Sequence, residues 1–328
     1  MNHLNVLYAC SDTYAQYSGV SICSLLENNR DIDSITIFLV YDNVSAANLE
    51  LLRNQVHRYG ENREIQFIDG QAFINKMKKM GLTEYRFSQA PNLRLFFDEY
   101  ISHNVEKLLY LDSDTIVMKS LLPLLNLDLQ DKCAAVVCDS IGGNYKQYIG
   151  FNENEPYFNA GMILFHMNNW LNSNCKQTML ELMNTPGMKL SSPDQDYLNL
   201  VLKDKLYLLP PEYNLQPFHL VYKDNTYFSN YSKIYYSRKQ LDAARENPVI
   251  VHTFRFLGQF PWHKNNLHPS KVLYKKYLDI SEWAGSEDKP NSKLIFSLER
   301  FAYRILPRSI FLKIYVTLQS IYFHYQEK

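Results

Sequence analysis

An α/β fold, with a mostly parallel Rossmann-like sheet flanked by helices and an amphipathic helical tail at the C-terminus, is expected from three features of this chain. Short apolar runs alternate with helix-period segments through the first half. Several of those runs end in a carboxylate, at the strand ends where open sheets of this kind bind ligands. The length, 328 residues, suits one large α/β domain or two small ones.

The elements follow in order. "LNVLYA" is a strand and "YSGVSICSLLENN" a helix with apolar residues spaced by three and four. "SITIFLVYD" is the next strand. "SAANLELLRNQVHRYG" is a helix that Ser45 caps and Gly60 stops. "EIQFID" is a strand, "QAPNLRLFFDEYI" a helix and "KLLYLD" another strand. Then come strand "AAVVCD" (Ala134 to Asp139) and strand "YFNAGMILFHM", with Asn159 and Gly161 near its start. "SPDQDYLNLVLKD" opens on Pro193 and acidic residues, a strong helix start. "PVIVHTF" is a late strand with His252 near its end. The catalytic domain is expected over residues 1–280 and the tail over 281–328.

The bulk numbers exclude several classes. Lys+Arg and Asp+Glu stand at 34 each, so no basic excess points to nucleic acid. Cys10, Cys23, Cys133, Cys138 and Cys175 include no C-x-x-C pair, which argues for reduced thiols in a cytosolic protein rather than zinc or a disulfide scaffold. The N-terminus lacks the basic and apolar regions of a signal peptide, and no apolar run is long enough for a transmembrane helix.

In "KLLYLDSDTIV" the apolar run Leu108 to Leu111 leads into Asp112 and Asp114. Carboxylates are rarely buried without a partner, so the pair asks for a function. A calcium loop of the EF-hand kind would need Gly and Glu where Val117 and Pro123 stand. A phosphatase with Asp112 as nucleophile fits "DSDTI" loosely, although such a motif follows the first strand of its domain. The third chemistry is a divalent cation shared with a diphosphate. Two carboxylates just past a strand end can face one ion, which offsets the charge of a leaving nucleoside diphosphate. It asks for a further ligand from another strand end, and His252 is the candidate. Asp139 could merely cap a turn, Asn159 and Gly161 could mark a bulge or close backbone approach, and Asp194 and Asp196 could be ordinary first-turn acids. Trp170 and Trp262 read as core or acceptor-platform residues.

Taken in order, "YLDSDTIV", "YFNAGMILFHMNNW", "SPDQDYLN", "YNLQP" and "VHTF…PWH" resemble glycosyltransferase family 8 over roughly Asn5 to Asp279. These are retaining enzymes of the lipopolysaccharide galactosyl- and glucosyltransferase kind, with glycogenin as a relative. The resemblance implies a GT-A fold, a UDP-glucose or UDP-galactose donor, Mn²⁺ or Mg²⁺, and an α-linked product. It implies metal ligation by Asp112, Asp114 and His252. It places the UDP-sugar against Ala9, Asp12, Tyr14, Arg94, Asp112, Ser113, Asn159, Ala160, Gly258 and Lys264, with Asp12 and Tyr14 at the uracil and ribose. It sets Asp139, Asp194 and Gln195 around the reacting sugar, Gln195 beneath the anomeric carbon. A glutamine amide is a poor nucleophile, which favours a front-face, ion-pair-like displacement; a covalent double displacement stays open.

Three departures stand out. Ser11 occupies a position that is often acidic in the family, and Asn92 one that is often Tyr. The family's H-x-x-G-x-x-K-P-W, whose Lys meets the diphosphate, reads "HTFRFLGQFPWH": two extra residues precede Pro261, and Phe260 replaces the Lys. Arg255, His263 or Lys264 could substitute.

The tail has its own pattern. Leu294, Ile295, Leu298, Phe301, Ala302 and Ile305 share one helical face, and Ile310, Phe311, Ile314, Tyr315, Leu318, Ile321 and Tyr322 continue it beyond Pro307. Lys289, Lys293, Arg300, Arg304, Arg308, Lys313 and Lys328 face only Glu299 and Glu327 in charge. A basic, aromatic-rich amphipathic segment suits a membrane surface; packing on the domain is the alternative. The expectation is a retaining hexosyltransferase, cytoplasmic and peripheral at the inner face of the membrane, acting on a glycan, glycolipid or glycoprotein. The rival readings are the Asp112 phosphatase and a catalytically dead sugar-binding module.

Overall fold

The computed structural model describes residues 2–82, 89–139, 143–152, 154–185, 190, 192–221, 235–290 and 294–326, with the side chains of 143, 144, 294, 316 and 319–326 left aside. Seven strands form the central sheet: β1 (His3–Ser11), β2 (Ser34–Asp42), β3 (Arg63–Asp69), β4 (Lys107–Leu111), β6 (Ala134–Cys138), β7 (Phe158–His166) and β8 (Leu206–Leu208). Their order is β3-β2-β1-β4-β7-β6-β8. Every neighbour pair is parallel except those of β7, which runs against β4 and β6. The reversal has a functional result. It brings the start of β7, with Asn159 and Gly161, to the edge where β1, β4 and β6 end.

Strands buried on both faces alternate their side chains between two cores. Val6 and Tyr8 of β1 join Leu109 and Leu111 of β4 on one face. Leu7 and Ala9 join Leu108 and Tyr110 on the other. The helices of the first half form where the apolar spacing requires them. Helix Ala46–His57 is capped as expected, with the Ser45 side chain accepting from the Asn48 N–H, and the chain turns at Gly60 with φ +105°. The segment "QAPNLRLFFDEYI" differs from expectation. It is a 3₁₀ helix, Ala90–Phe96, followed by a single α-turn, Phe97–Tyr100. The Arg94 side chain is drawn inward there, and its Nε donates to the Pro91 carbonyl.

"PVIVHTF" also departs from the main sheet. β9 (Ile250–His252) pairs with β5 (Thr115–Val117) in a separate two-stranded ribbon. The ribbon pairs Thr115 directly with His252.

Residues 281–290 pack on the main domain: Trp283 is buried against Gly19, and the Lys289 N–H donates to the Trp262 carbonyl. Helices Leu294–Ile305 and Arg308–Gln326 follow, broken at Pro307. Phe311 and Leu312 are buried against Phe256 and Leu257, with Ala302, Tyr303, Leu306 and Tyr315 packed around them. Ala302, Phe311 and Tyr315 therefore belong to the inner side, not to the stripe expected of them. Ile295, Leu298, Phe301, Ile305, Ile310, Ile314 and Leu318 are exposed. Lys293 and Lys328, and the side chains of Leu294, Ile321 and Tyr322, lie outside what is described. No helix among the described residues is long and apolar enough to cross a membrane.

Candidate active site

Asp112, Ser113 and Asp114 form the turn that carries the chain from the end of β4 into β5. Thr115 N–H donates to the Asp112 carbonyl, closing that turn. The two carboxylates converge because the backbone turns between them, not through strand alternation. His252 arrives from β9, opposite Thr115, so its Nε2 lies 3.1 Å from Asp114 Oδ1 and 3.7 Å from Asp112 Oδ2. Ligand atoms of the three residues all lie within 4.8 Å of one another. Gly161 makes the approach possible, since a Cβ there would overlap the His252 ring.

The other side of the imidazole fixes its tautomer. His252 Nδ1 lies 3.0 Å from Asn159 Oδ1 and 3.1 Å from Asn214 Oδ1, both acceptors. Asn214 Nδ2 donates to Asn159 Oδ1, and Gly161 N–H does the same. Nδ1 therefore carries a proton in either charge state of the ring, and Nε2, which donates to Asp114 when protonated, is the nitrogen a cation would take. Metal-ligating histidines are oriented this way by their outer partners. Two carboxylates and one imidazole suit a Mg²⁺- or Mn²⁺-type ion. Electrostatics agree. Burial opposes a charged His252, but Asp114, Asp112 and Asp139 outweigh it and hold its pKa above the ordinary value. Burial raises the pKa of Asp112, although Arg94 pulls it down. For Asp114 burial is outweighed by His252, and its pKa is lowered. A cation would take the place of the Nε2 proton that these carboxylates face.

Arg94 is the second organising group. Buried beside the Tyr110 ring, it reaches Asp112 Oδ1 at 2.8 Å and Asp194 Oδ2 at 3.0 Å, and donates to the Ala160 carbonyl at 2.7 Å. The Tyr110 hydroxyl donates to the same Asp112 oxygen. Asp194 is thus an ion-pair partner, not an ordinary first-turn acid.

Gln195 is held at both ends of its amide. Its Oε1 accepts from the Ala160 N–H at 2.9 Å. Its Nε2 donates to Asp139 Oδ2 at 3.2 Å and to the Tyr157 hydroxyl at 3.1 Å. Asn159 Nδ2 donates to that same Asp139 oxygen. Asp139 therefore does more than cap a turn. Behind them, Asp196 accepts from the Tyr145 and Tyr157 hydroxyls and from Ser192 N–H, and burial lifts its pKa to about 6.

The nucleotide-side positions lie at the end of β1. Ala9 and Ser113 are joined, Ser113 Oγ donating to the Ala9 carbonyl and meeting Ser18 Oγ. Asp12 Oδ1 accepts from Ser45 N–H and Asn48 Nδ2, which lowers its pKa. Tyr14 stands edge-on to Tyr17 and to Trp262, and Trp262 stacks between Tyr17 and Phe260. Asp12 and Lys264 stand outside the hydrogen-bonded group around the carboxylates. Lys264 is exposed, its Nζ 3.9 Å from Glu287. Trp170 is core, its indole N–H donating to Asp98.

The sequence alone suggests no role for Asn214, Tyr110, Tyr145 or Tyr157, and reads Asp196 as an ordinary first-turn acid. Tyr110 breaks an otherwise aliphatic run with one hydroxyl, and Asn214 precedes a strand-like step; those were the available signals.

The same architecture occurs in solved enzymes. The galactosyltransferase LgtC, solved with donor and acceptor sugar analogues, superposes with TM-score 0.68 at 24% identity, over 85% of this chain and 96% of that one. The bifunctional WbbM glycosyltransferase superposes with TM-score 0.71 at 22% identity, over 86% of this chain and half of the longer WbbM chain. Fold and site together define a glycosyltransferase of the GT-A fold. The chain belongs to glycosyl transferase family 8, whose model matches residues 5–266. Among curated relatives, lipopolysaccharide 1,2-glucosyltransferase of Escherichia coli K12 is 26% identical over 92% of this chain and 86% of its own length. General stress protein A of Bacillus subtilis is 24% identical over 85% of this chain and 94% of its own.

Proposed function

We propose that this enzyme is a metal-dependent retaining hexosyltransferase. It moves glucose or galactose from a UDP-sugar to a glycan, glycolipid or glycoprotein hydroxyl in α linkage. The observation that carries the reading is the convergence of Asp112, Asp114 and His252, with Nδ1 held by Asn159 and Asn214 and Nε2 facing the two aspartates. Mn²⁺ or Mg²⁺ bound by those three residues would act as a Lewis acid, offsetting charge on the departing diphosphate. Relatives named for glucosyl and galactosyl transfer support either hexose.

The remaining roles belong to the chain's own groups. Arg94 holds the Asp112 and Asp194 carboxylates in place. Asp139 and Tyr157 hold the Gln195 amide in one orientation, so its nitrogen is committed and only its carbonyl dipole bears on positive charge developing at the anomeric carbon. An amide so held is no nucleophile, which favours attack by the acceptor hydroxyl on the face the diphosphate leaves. The hydroxyl proton passes to the departing phosphate oxygen. The exposed apolar stripe of the tail, flanked by exposed Arg304, Arg308 and Lys313, supports peripheral attachment to the cytoplasmic face of a membrane.

A nucleotide-sugar hydrolysis screen with and without Mn²⁺ tests this reading. We expect one UDP-hexose to be consumed, only with metal. Phosphoester turnover without any nucleotide sugar, or inertness toward every UDP-hexose with metal and glycan acceptors present, would overturn it.

A further inference from the structure

The loop after His252 begins at the metal ligands, since Thr253 N–H and its hydroxyl both donate to the Asp114 carbonyl. It then folds into a tight hairpin, Phe256 and Gln259 exchanging both backbone hydrogen bonds. The two residues between them, Leu257 and Gly258, have φ +49° and +70°, as a type I′ turn requires. Leucine in that region costs about 1–2 kcal/mol, so packing must hold the turn in place. Part of that packing is the tail. The Phe296 ring covers Gly258 so closely that a Cβ there would overlap it. Arg255 lies between, its guanidinium carbon 5.2 Å from the Phe296 ring centre and 5.7 Å from that of Phe260. Phe260 is the residue standing where a lysine would meet the diphosphate. Arg300, one helical turn beyond Phe296, comes from the same face.

This junction holds polar groups with no partner among the described residues. Gln259 is 1% exposed, yet neither its Oε1 nor its Nε2 has a hydrogen-bond partner among the described residues. Arg300 Nη1 is buried and likewise unmatched, while Nη2 donates to Ser297 Oγ. Unmatched buried polar atoms are costly and call for a ligand. The neighbouring charges make that ligand an anion. Burial depresses the pKa of His263, and the charges of Arg255 and Arg300 lower it further. Burial raises Glu299 to about 7 against the pull of both guanidiniums, so it offers them only part of a counter-charge near neutral pH. The demand exists nearby. Asp112, Asp114, Asp139 and Asp194 crowd the sugar side, where Arg94 pairs with Asp112 and Asp194 and His252 with Asp114, and a diphosphate carries more charge than one divalent ion offsets.

We infer that helix Leu294–Ile305 completes the donor site: Arg300, with Arg255 and the Gln259 amide, grips the diphosphate of the nucleotide sugar in place of the missing lysine. The inference rests on the UDP-sugar reading above. It makes the tail part of the donor site, so removal of residues after 290 should cost nucleotide binding as well as any membrane attachment.

Calorimetric titration of the full chain with UDP and with uridine, both with Mn²⁺, tests it. Arg300→Ala and Arg300→Glu should weaken UDP about tenfold or more, leave uridine unchanged and leave the thermal midpoint within a degree or so. Arg300→Lys, which keeps the charge, should recover part of the loss. If wild type binds UDP and both Arg300→Ala and Arg300→Glu stay within twofold of it, the inference is wrong while the donor reading stands. If wild type binds no UDP with metal, both fall together.

Discussion

The sheet edge and the outer side of the tail invert one another. At the edge, polar side chains are buried and answered: Arg94 by two carboxylates, His252 by two amides, Asp196 by two phenols. On the tail, seven large apolar side chains from Ile295 to Leu318 face outward with nothing over them among the described residues. Both arrangements are unfavourable in an isolated soluble domain, for opposite reasons. Buried charge needs partners to offset its desolvation. Exposed apolar stripes of this size mark surfaces that other molecules cover. The edge meets its need within the chain, whereas the tail does so only on its inner side.

That contrast can be broken at the edge first. His252→Ala or Asp114→Asn should cut metal-dependent transfer by about a thousandfold, read as kcat with saturating donor. Retention of most activity would mean that the three groups do not act as ligands. Asn214→Ala frees the imidazole to turn and should weaken Mn²⁺ binding by about 10- to 100-fold, read by metal titration. Unchanged affinity would show that Asn159 alone orients the ring.

Asp196 sharpens the comparison through pH. Its native pKa of about 6 lies above the ordinary 3.8, so between those values the folded chain binds more protons than the unfolded one. Its contribution is therefore present at low pH and lost as pH rises through that window, by up to about 3 kcal/mol. Asp196→Asn should remove that part of the pH dependence of thermal stability between pH 4 and 7. The same slope in both proteins would place the titrating group elsewhere.

The smallest effect on catalysis is expected outside. Replacing Leu298, Phe301 and Ile305 by Ser should lower co-sedimentation with anionic vesicles about tenfold and leave hydrolysis of soluble donor nearly intact. Unaltered co-sedimentation would assign the stripe to another partner.

Local pattern settled much of this protein. Alternating apolar runs gave seven of the nine strands to within two residues and missed the three-residue β5 and β8, and the D-x-D pair with a late histidine pointed to a metal, because hydrophobic period and ligand chemistry are properties of short segments. The ordered family motifs carried the residues expected to meet the donor. Tertiary structure decided the rest, because it depends on which distant segments meet. The β5–β9 ribbon seats His252 beside Asp114, and reversed β7 delivers Asn159 to the catalytic edge. Asp196 is a buried hub because two tyrosines from elsewhere reach it, and helix Leu294–Ile305 meets the loop after His252 because Phe296 packs on Gly258. Contacts of that kind leave no periodic trace in a single chain, since each partner alone is only a polar residue among many.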